Sequence, residues 1–371
     1  MKIAIISPAF GFGGSNIVAK TVGDALASEH EVFYVAYQQD NPDFSAPHYV
    51  FLDSKRSLFE RMLRPLSNAW ALWVQHRFDP AASRKQSLKR LINFVNDNQI
   101  DAVILNSFDT SVFFARGLKL ALPQLLVIGW FHEAVDWIQS LTRKYPVAFH
   151  QSLATLDKAV CLTHETAAYY AQWQPKTKVI YNPVQLAKHG RADLKIHTIS
   201  FVARLDSQIK GLDYLVELAK RLPSSWVIKA AGMGTDEETR RFQELIKQNH
   251  VEDKLLFEGA KRGKALANHY QNSSLFISTS RTEALPLVMI EAMSFGLPIV
   301  SFAHSGAREI LKDGAVGRLI PVGNVDAMAR SIQEIADSVH TREEMGKLSV
   351  ERYRDFAIEP IKEQWLAALK G

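Results

Sequence analysis

The segment from Leu275 to Phe302 constrains the fold more than any other part of the chain. Leu275-Phe276-Ile277 is a short apolar run that predicts a buried parallel strand. Ser278, Thr279 and Ser280 follow as a polar loop. Pro286 suits the first helical position, where the N–H it lacks would have no partner anyway. Gly296-Leu297-Pro298 then leads into a second apolar strand, Ile299 to Phe302. Two carboxylates sit inside this pattern, Glu283 in the loop and Glu291 more than a turn into the helix. Both fall near the carboxyl end of a strand and the positive end of a helix. Open α/β sheets bind ligands there, and a helix N-terminus favours phosphate.

The same alternation runs along the whole chain. With 371 residues it is too long for one ordinary core, so two domains are expected. An apolar content of 47% with 22% charged residues is ordinary for a globular protein. No apolar run reaches the ~20 residues of a membrane span, and Met1-Lys2 leads straight into a strand rather than a signal peptide. The single cysteine, Cys161, lies in the apolar run Ala159 to Leu162 and reads as a buried strand residue. These features favour the cytoplasm.

The chain opens with a strand, Ile3 to Ile6, a glycine turn from Pro8 to Gly14, a helix to about Ser28 and a strand, Val32 to Ala36. Ser15 or Asn16 is the expected helix cap. A dinucleotide fingerprint fails here, because Asn16 stands where the third glycine belongs. Strands are expected at Ala102 to Leu105, Leu125 to Phe131, around Val160 and at Val179 to Tyr181, with a helix from Thr142 to Leu156. The second half restarts with a strand at Ile196 to Val202, followed by Ala203-Arg204-Leu205 and, after a short loop, Lys210-Gly211. Gly232-Met233-Gly234 reads as a phosphate-side turn, and Thr235 as the cap of an acidic helix. One domain is expected over 1–182. A second is expected over 183–349, and the last helix, about 350–371, is expected to return to the first.

Glu283 and Glu291, followed by Ala292, Gly296 and Pro298 and preceded by the Arg204 and Lys210-Gly211 signals, resemble the retaining glycosyltransferases of family four. The resemblance covers about 196–330 and the first loop. It implies the GT-B fold, two Rossmann-like doubly wound parallel-sheet domains facing a central cleft. It also implies a retaining hexosyl transfer by front-face attack, from a nucleotide sugar to a glycan or lipid-linked acceptor in envelope or polysaccharide synthesis. UDP is expected over GDP on general frequency only. On this reading Arg204 and Lys210 neutralise the departing diphosphate. Glu283 orients the sugar, Glu291 binds the ribose, and the N–H groups of Leu287 and Val288 meet the β-phosphate. Gly13, Gly14 and Gly232 lie along the donor, and His132 points toward the transferred sugar. Glu133 and Asp136 stand close to His132 in sequence, and either could touch an acceptor hydroxyl. Gly is usual in the family where Ala203 stands. The chain holds no Asp-x-Asp pair, so no metal and no other cofactor is expected.

Two rival functions stay open: another enzyme on the same fold, such as a nucleotide-sugar epimerase or a phosphorylase, and a non-catalytic nucleotide- or glycan-binding protein. The stretch 55–90 carries nine basic residues against two acidic ones, an excess larger than the net charge of +5 of the whole chain. Leu, Met, Phe and Trp interleave with them. This fits amphipathic helices on an anionic membrane, which would place the protein on the inner face of the plasma membrane. It fits equally well helices packed on a sheet. No nucleic-acid motif accompanies the charge.

Overall fold

The computed structural model describes residues 1–11, 13–52, 81–143, 146–184 and 190–370. The chain divides into two compact units, Met1–Pro183 with Ile358–Gly371, and Val184–Ala357.

The first unit is built on a seven-stranded sheet. Its strands are β1 (Lys2–Ser7), β2 (Glu31–Ala36), β3 (Tyr49–Phe51), β4 (Ala102–Asn106), β5 (Leu126–Phe131), β6 (Lys158–Cys161) and β7 (Thr177–Val179). They lie in the order β3-β2-β1-β4-β5-β6-β7, and every pair is parallel. The central strands are buried on both faces, which is why they read as unbroken apolar runs rather than alternating ones. Cys161 is one of these buried strand residues. Strand order reverses between β1 and β4, so the switch point lies at Ser7 and Asn106.

The last helix, Ile358–Leu369, belongs to this unit and packs on the helix Gly14–Leu26. Trp365 is fully buried and meets Trp130 edge-on, with ring centres 4.7 Å apart. The buried Lys158 ammonium donates to the Ala368 carbonyl at 2.6 Å, satisfying a helix end that would otherwise lack a partner.

The second unit repeats the plan with β8 (Thr198–Arg204), β9 (Val227–Met233), β10 (Leu255–Phe257), β11 (Leu275–Ser278), β12 (Ile299–Phe302) and β13 (Arg318–Ile320). The order is β10-β9-β8-β11-β12-β13, again all parallel, with the switch point between β8 and β11. The helix Val339–Tyr353 stays with this unit. Its buried Arg342 donates to the carbonyls of Leu194, Ile335 and Ala336, and its buried Arg352 to those of Ile310 and Glu309. Two parallel-sheet domains of this topology are the GT-B architecture.

Several boundaries differ from the sequence reading. The expected helix from Thr142 to Leu156 is two helices, Val135–Thr142 and Pro146–Thr155. Neither Ser15 nor Asn16 caps the first helix. Its N-cap is Gly13, because Asn16 is drawn away to accept from Ser7. Pro286 is the N-cap of its helix, one residue before the expected position. No described helix is long and apolar enough to cross a membrane.

Most of the basic stretch, residues 53–80, lies outside the described residues. The part that is described has a side packed into the first unit and a solvated face. Arg84 is buried, its guanidinium 5.3 Å above the Tyr37 ring and 5.4 Å above the Phe113 ring, and it donates to Gln38 Oε1 at 2.9 Å. The helix Lys85–Asn98 turns Ser87, Leu91 and Val95 inward and leaves Lys85 and Lys89 exposed. Arg84→Glu should therefore cost about 3 kcal/mol of stability in urea unfolding, because it buries an unpaired carboxylate. Lys85→Glu should change stability by less than about 0.5 kcal/mol. Equal effects at the two positions would contradict the buried placement of Arg84.

Candidate functional site

The switch point of the second unit gathers four of the expected residues. Arg204 ends β8 and is exposed. Lys210 ends the short helix Ser207–Lys210, whose cap Asp206 accepts from the Ile209 N–H at 3.0 Å. Glu283 lies in the loop after β11, and Glu291 in the helix Leu287–Ser294.

The two loops are locked together by backbone. Gly211 has φ +61°, and a Cβ there would lie 2.1 Å from the Thr279 carbonyl oxygen, so no side chain fits. Thr279 Oγ1 donates to the Lys210 carbonyl at 2.9 Å. The Arg281 N–H donates to the Ile209 carbonyl at 2.8 Å. The Arg281 guanidinium binds Asp213 at 2.6 Å and stacks 4.1 Å above Tyr214. On the other side, Gly306 donates to the Glu283 carbonyl at 3.1 Å, and a Cβ at Gly306 would meet the same carbonyl at 2.7 Å.

Within this brace Lys210 Nζ lies 2.6 Å from Glu283 Oε2, and both side chains are largely buried. Ser280 donates to Glu283 Oε1 at 2.8 Å. Burial pushes the Glu283 carboxyl up. The Lys210 ammonium outweighs that, aided by the Ser280 hydroxyl, and holds the carboxyl below its ordinary range. His304 is buried beside the pair. Its Nδ1 accepts from the Ala307 N–H at 3.2 Å, and burial pushes its pKa down to about 4, so the ring is neutral at physiological pH.

The helix Leu287–Ser294 has no side-chain cap and no acidic residue in its first turn. Its leading N–H groups, at Leu287 and Val288, are thus without an intrahelical partner, in the manner of an anion site. Glu291 is half-buried. Burial pushes its carboxyl up, and the Tyr270 hydroxyl, which donates to Oε2 at 2.9 Å, opposes that. Gly232 sits within β9 rather than in a turn. A Cβ there would lie 2.4 Å from the Ala203 carbonyl oxygen, so close strand packing accounts for this glycine.

In the first unit, Gly13 has φ +134° and starts the helix Gly14–Leu26 with no side-chain cap, leaving exposed N–H groups. His132 follows β5 in a buried polar chain. His132 Nε2 lies 2.7 Å from Asn106 Oδ1, Asn106 Nδ2 donates to Ser7 Oγ at 3.2 Å, and Ser7 Oγ donates to Asn16 Oδ1 at 3.2 Å. The weaker contact is His132 Nδ1 with Asn182 Nδ2 at 3.4 Å. This ordering puts the His132 proton on Nε2, and burial pushes its pKa down to about 3. Both ring nitrogens are thus engaged, and Nδ1 is the one a ligand hydroxyl could most readily claim. Glu133 is turned inward, accepting from the N–H groups of Phe108 and His132 at 3.2 and 2.9 Å. Burial pushes its carboxyl up to about 7 against those bonds. Asp136 is exposed.

Sequence reasoning missed Tyr270, Ser280, Arg281 and His304, which hold or flank the expected carboxylates. Arg281 and His304 were visible as polar residues just past apolar strands. Among the described residues no three His, Cys, Asp or Glu side chains gather as metal ligands.

The chain is similar to several known proteins. Residues 186–351 match the family model described as glycosyl transferases group 1. An uncharacterized glycosyltransferase of Haemophilus influenzae is 29% identical, with 96% of each chain covered. A Campylobacter jejuni alpha-1,4-N-acetyl-D-galactosaminyltransferase, named for a GalNAc-containing diphosphoundecaprenol substrate, is 24% identical over 99% of this chain and 97% of its own. Among solved structures, sucrose-phosphate synthase from Thermosynechococcus elongatus superposes with a TM-score of 0.78 at 19% identity, covering 99% of this chain and 98% of its own. Anabaena HepE in complex with UDP and glucose gives 0.77 at 15% identity, with 100% of both chains covered. The family model and the full-length relatives together support a glycosyltransferase of the GT-B fold.

Lys210→Met leaves Glu283 buried without its cation. The variant should lose about 3 kcal/mol at neutral pH. A depressed carboxyl pKa contributes stability above its unfolded value and loses it as pH falls through the folded one. The gap between parent and variant should therefore close as the pH falls below the usual carboxylate range. A gap that stays constant with pH in denaturant unfolding would contradict the pairing.

Proposed function

We propose that the chain is a retaining hexosyltransferase that takes a sugar from a nucleotide donor, with UDP as the nucleotide. The acceptor is a glycan or lipid-linked saccharide of cell-envelope polysaccharide synthesis. The observation that carries this reading is the buried Lys210–Glu283 pair at the switch point, beside the exposed Arg204 and the uncapped helix at Leu287. The Campylobacter relative is named for a diphosphoundecaprenol-linked substrate, and HepE holds UDP and glucose, which supports both the acceptor class and the nucleotide.

In this reading the β-phosphate rests on the N–H groups of Leu287 and Val288. Arg204 and Lys210 neutralise the leaving diphosphate; an ammonium has three donors, and Glu283 occupies one. Glu283 takes sugar hydroxyls on its carboxylate and holds the anomeric carbon in place. Glu291 holds the ribose. Gly13, Gly14 and His132 are assigned to the donor and the transferred sugar by family resemblance. The anomeric C–O bond to phosphate breaks as the acceptor oxygen bonds on the same face, and the acceptor proton leaves to the departing phosphate oxygen. No enzymic nucleophile takes part. Fixed cations and the helix N-terminus take the place of a divalent metal. A retained, same-face transfer also separates these two glutamates from a glycosidase acid–base pair, since both hold the donor.

The working location in this reading is the cytoplasmic face of the membrane, reached through the basic stretch 55–80 and Lys85. Charge reversal at Arg61, Arg64 and Lys85 should weaken sedimentation with anionic vesicles. Unchanged sedimentation, or none in the parent protein, would remove the membrane from the account.

Ligand-induced thermal shift tests the donor site directly. UDP at a hundred times its Kd should stabilise the folded protein by about 2.7 kcal/mol. The shift should persist in EDTA and vanish in Glu291→Ala. No shift with UDP, GDP or ADP would sink the proposal.

A further inference from the structure

Tyr270 is the fully buried residue next to the donor carboxylates whose polar atom has a single direction of use. It sits on the helix Gly263–Gln271, with its ring 5.2 Å from that of Phe295. Its hydroxyl donates to Glu291 Oε2 at 2.9 Å and lies 3.4 Å from the Val288 carbonyl. Glu291 Oε1 takes no hydrogen bond among the described residues, so the carboxylate is anchored on one oxygen and open on the other.

The helix that carries Tyr270 is itself pinned. The neighbouring His269 is held between Ser200 Oγ and Glu258 Oε2, both at 2.9 Å, and Ser273 Oγ donates to the His269 carbonyl at 2.8 Å. A phenol on a fixed helix holds a carboxylate in one rotamer before any ligand arrives, which removes an ordering cost from binding. A half-buried Glu would otherwise be free to turn or to take up a proton.

We propose that Tyr270 is a positioning residue of the donor site. Its hydroxyl fixes Glu291 so that Oε1 is presented to the ribose hydroxyls, an inference that rests on reading the switch-point cluster as a nucleotide-sugar site. Tyr270 touches no substrate and acts through Glu291 alone.

The electrostatics around Glu291 give the proposal a distinctive signature. Burial raises its pKa and the Tyr270 hydroxyl lowers it. The strands packed on its helix, β11 and β12, carry no charged residue. The helix Val339–Tyr353 brings Arg342 and Arg352, which donate to backbone carbonyls elsewhere, Arg352 also to Asp355, and its remaining His, Glu and Lys residues, His340, Glu343, Glu344, Lys347 and Glu351, are exposed. Arg191 donates to the Ser294 carbonyl at 3.0 Å, at the far end of the Glu291 helix. Removing the phenol should therefore let Glu291 take up a proton at higher pH.

The experiment is titration calorimetry of UDP and GDP into the full-length parent, Tyr270→Phe, Glu291→Ala and the double variant, at pH 6.5, 7.5 and 8.5. Phe keeps the ring and its packing, and melting temperatures are recorded alongside. Tyr270→Phe should weaken binding of whichever nucleotide the parent binds by roughly 10- to 100-fold at pH 6.5, the worth of one hydrogen bond to a charged group. The loss should shrink at pH 8.5, and the change should add nothing on top of Glu291→Ala. A loss that does not vary with pH, or a lowered melting temperature with unchanged affinity, would overturn the role of Tyr270. If Glu291→Ala itself binds like the parent, or if neither nucleotide binds the parent, the donor-site reading fails instead, and the inference with it.

Discussion

Everything at the candidate site depends on two loops of the second unit being held at touching distance by their backbones. The absent side chain of Gly211 lets the Thr279 carbonyl approach, and Arg281 braces the same junction from the other loop. Once β8 and β11 are neighbours and their loops are latched, Lys210 and Glu283 have little choice of partner. Burial of the pair then follows from the packing around it. An isolated buried charge costs several kcal/mol, so each member of the pair depends on the other being present. Side-chain chemistry here is a consequence of backbone geometry.

The brace also explains why this site is suited to charge rather than to nucleophilic attack. An ammonium, an exposed guanidinium and an uncapped helix end lie on one edge of one sheet. The ammonium and the helix end are fixed before a ligand arrives, and fixed dipoles and charges stabilise a developing anion with little reorganisation. The first unit offers a different chemistry. Its switch point holds a neutral histidine in a chain of amides and a hydroxyl, and a carboxyl, Glu133, pushed up to about 7.

Much of this was legible in the sequence because apolar runs of four to seven residues separated by helices leave few alternatives to parallel sheets. Arg204 was placed at a strand end, Lys210 at the helix start that follows, Glu283 in a loop and Glu291 in a helix by the same pattern. The sequence could not say that Lys210 would be claimed by Glu283, since nothing in either local segment encodes the distance between two loops some 70 residues apart. Nor could it reveal that Gly232 serves strand packing rather than a turn, because a close approach of two backbones leaves the same residue in both cases. Tyr270 was hidden for a related reason: an aromatic residue at a helical apolar position looks like core, and it is core, with one polar atom put to use. Arg84 was counted with its basic neighbours, while the structure separates it from them by burial against Tyr37 and Phe113. Composition could not make that separation.

The most direct test of the account is a crystal structure of the protein grown with UDP in the presence of EDTA. The account predicts the ribose hydroxyls against Glu291 Oε1, the β-phosphate on the N–H groups of Leu287 and Val288, and the Arg204 and Lys210 cations turned to the diphosphate. UDP bound elsewhere on the chain, or bound with its diphosphate away from the helix Leu287–Ser294, would contradict it.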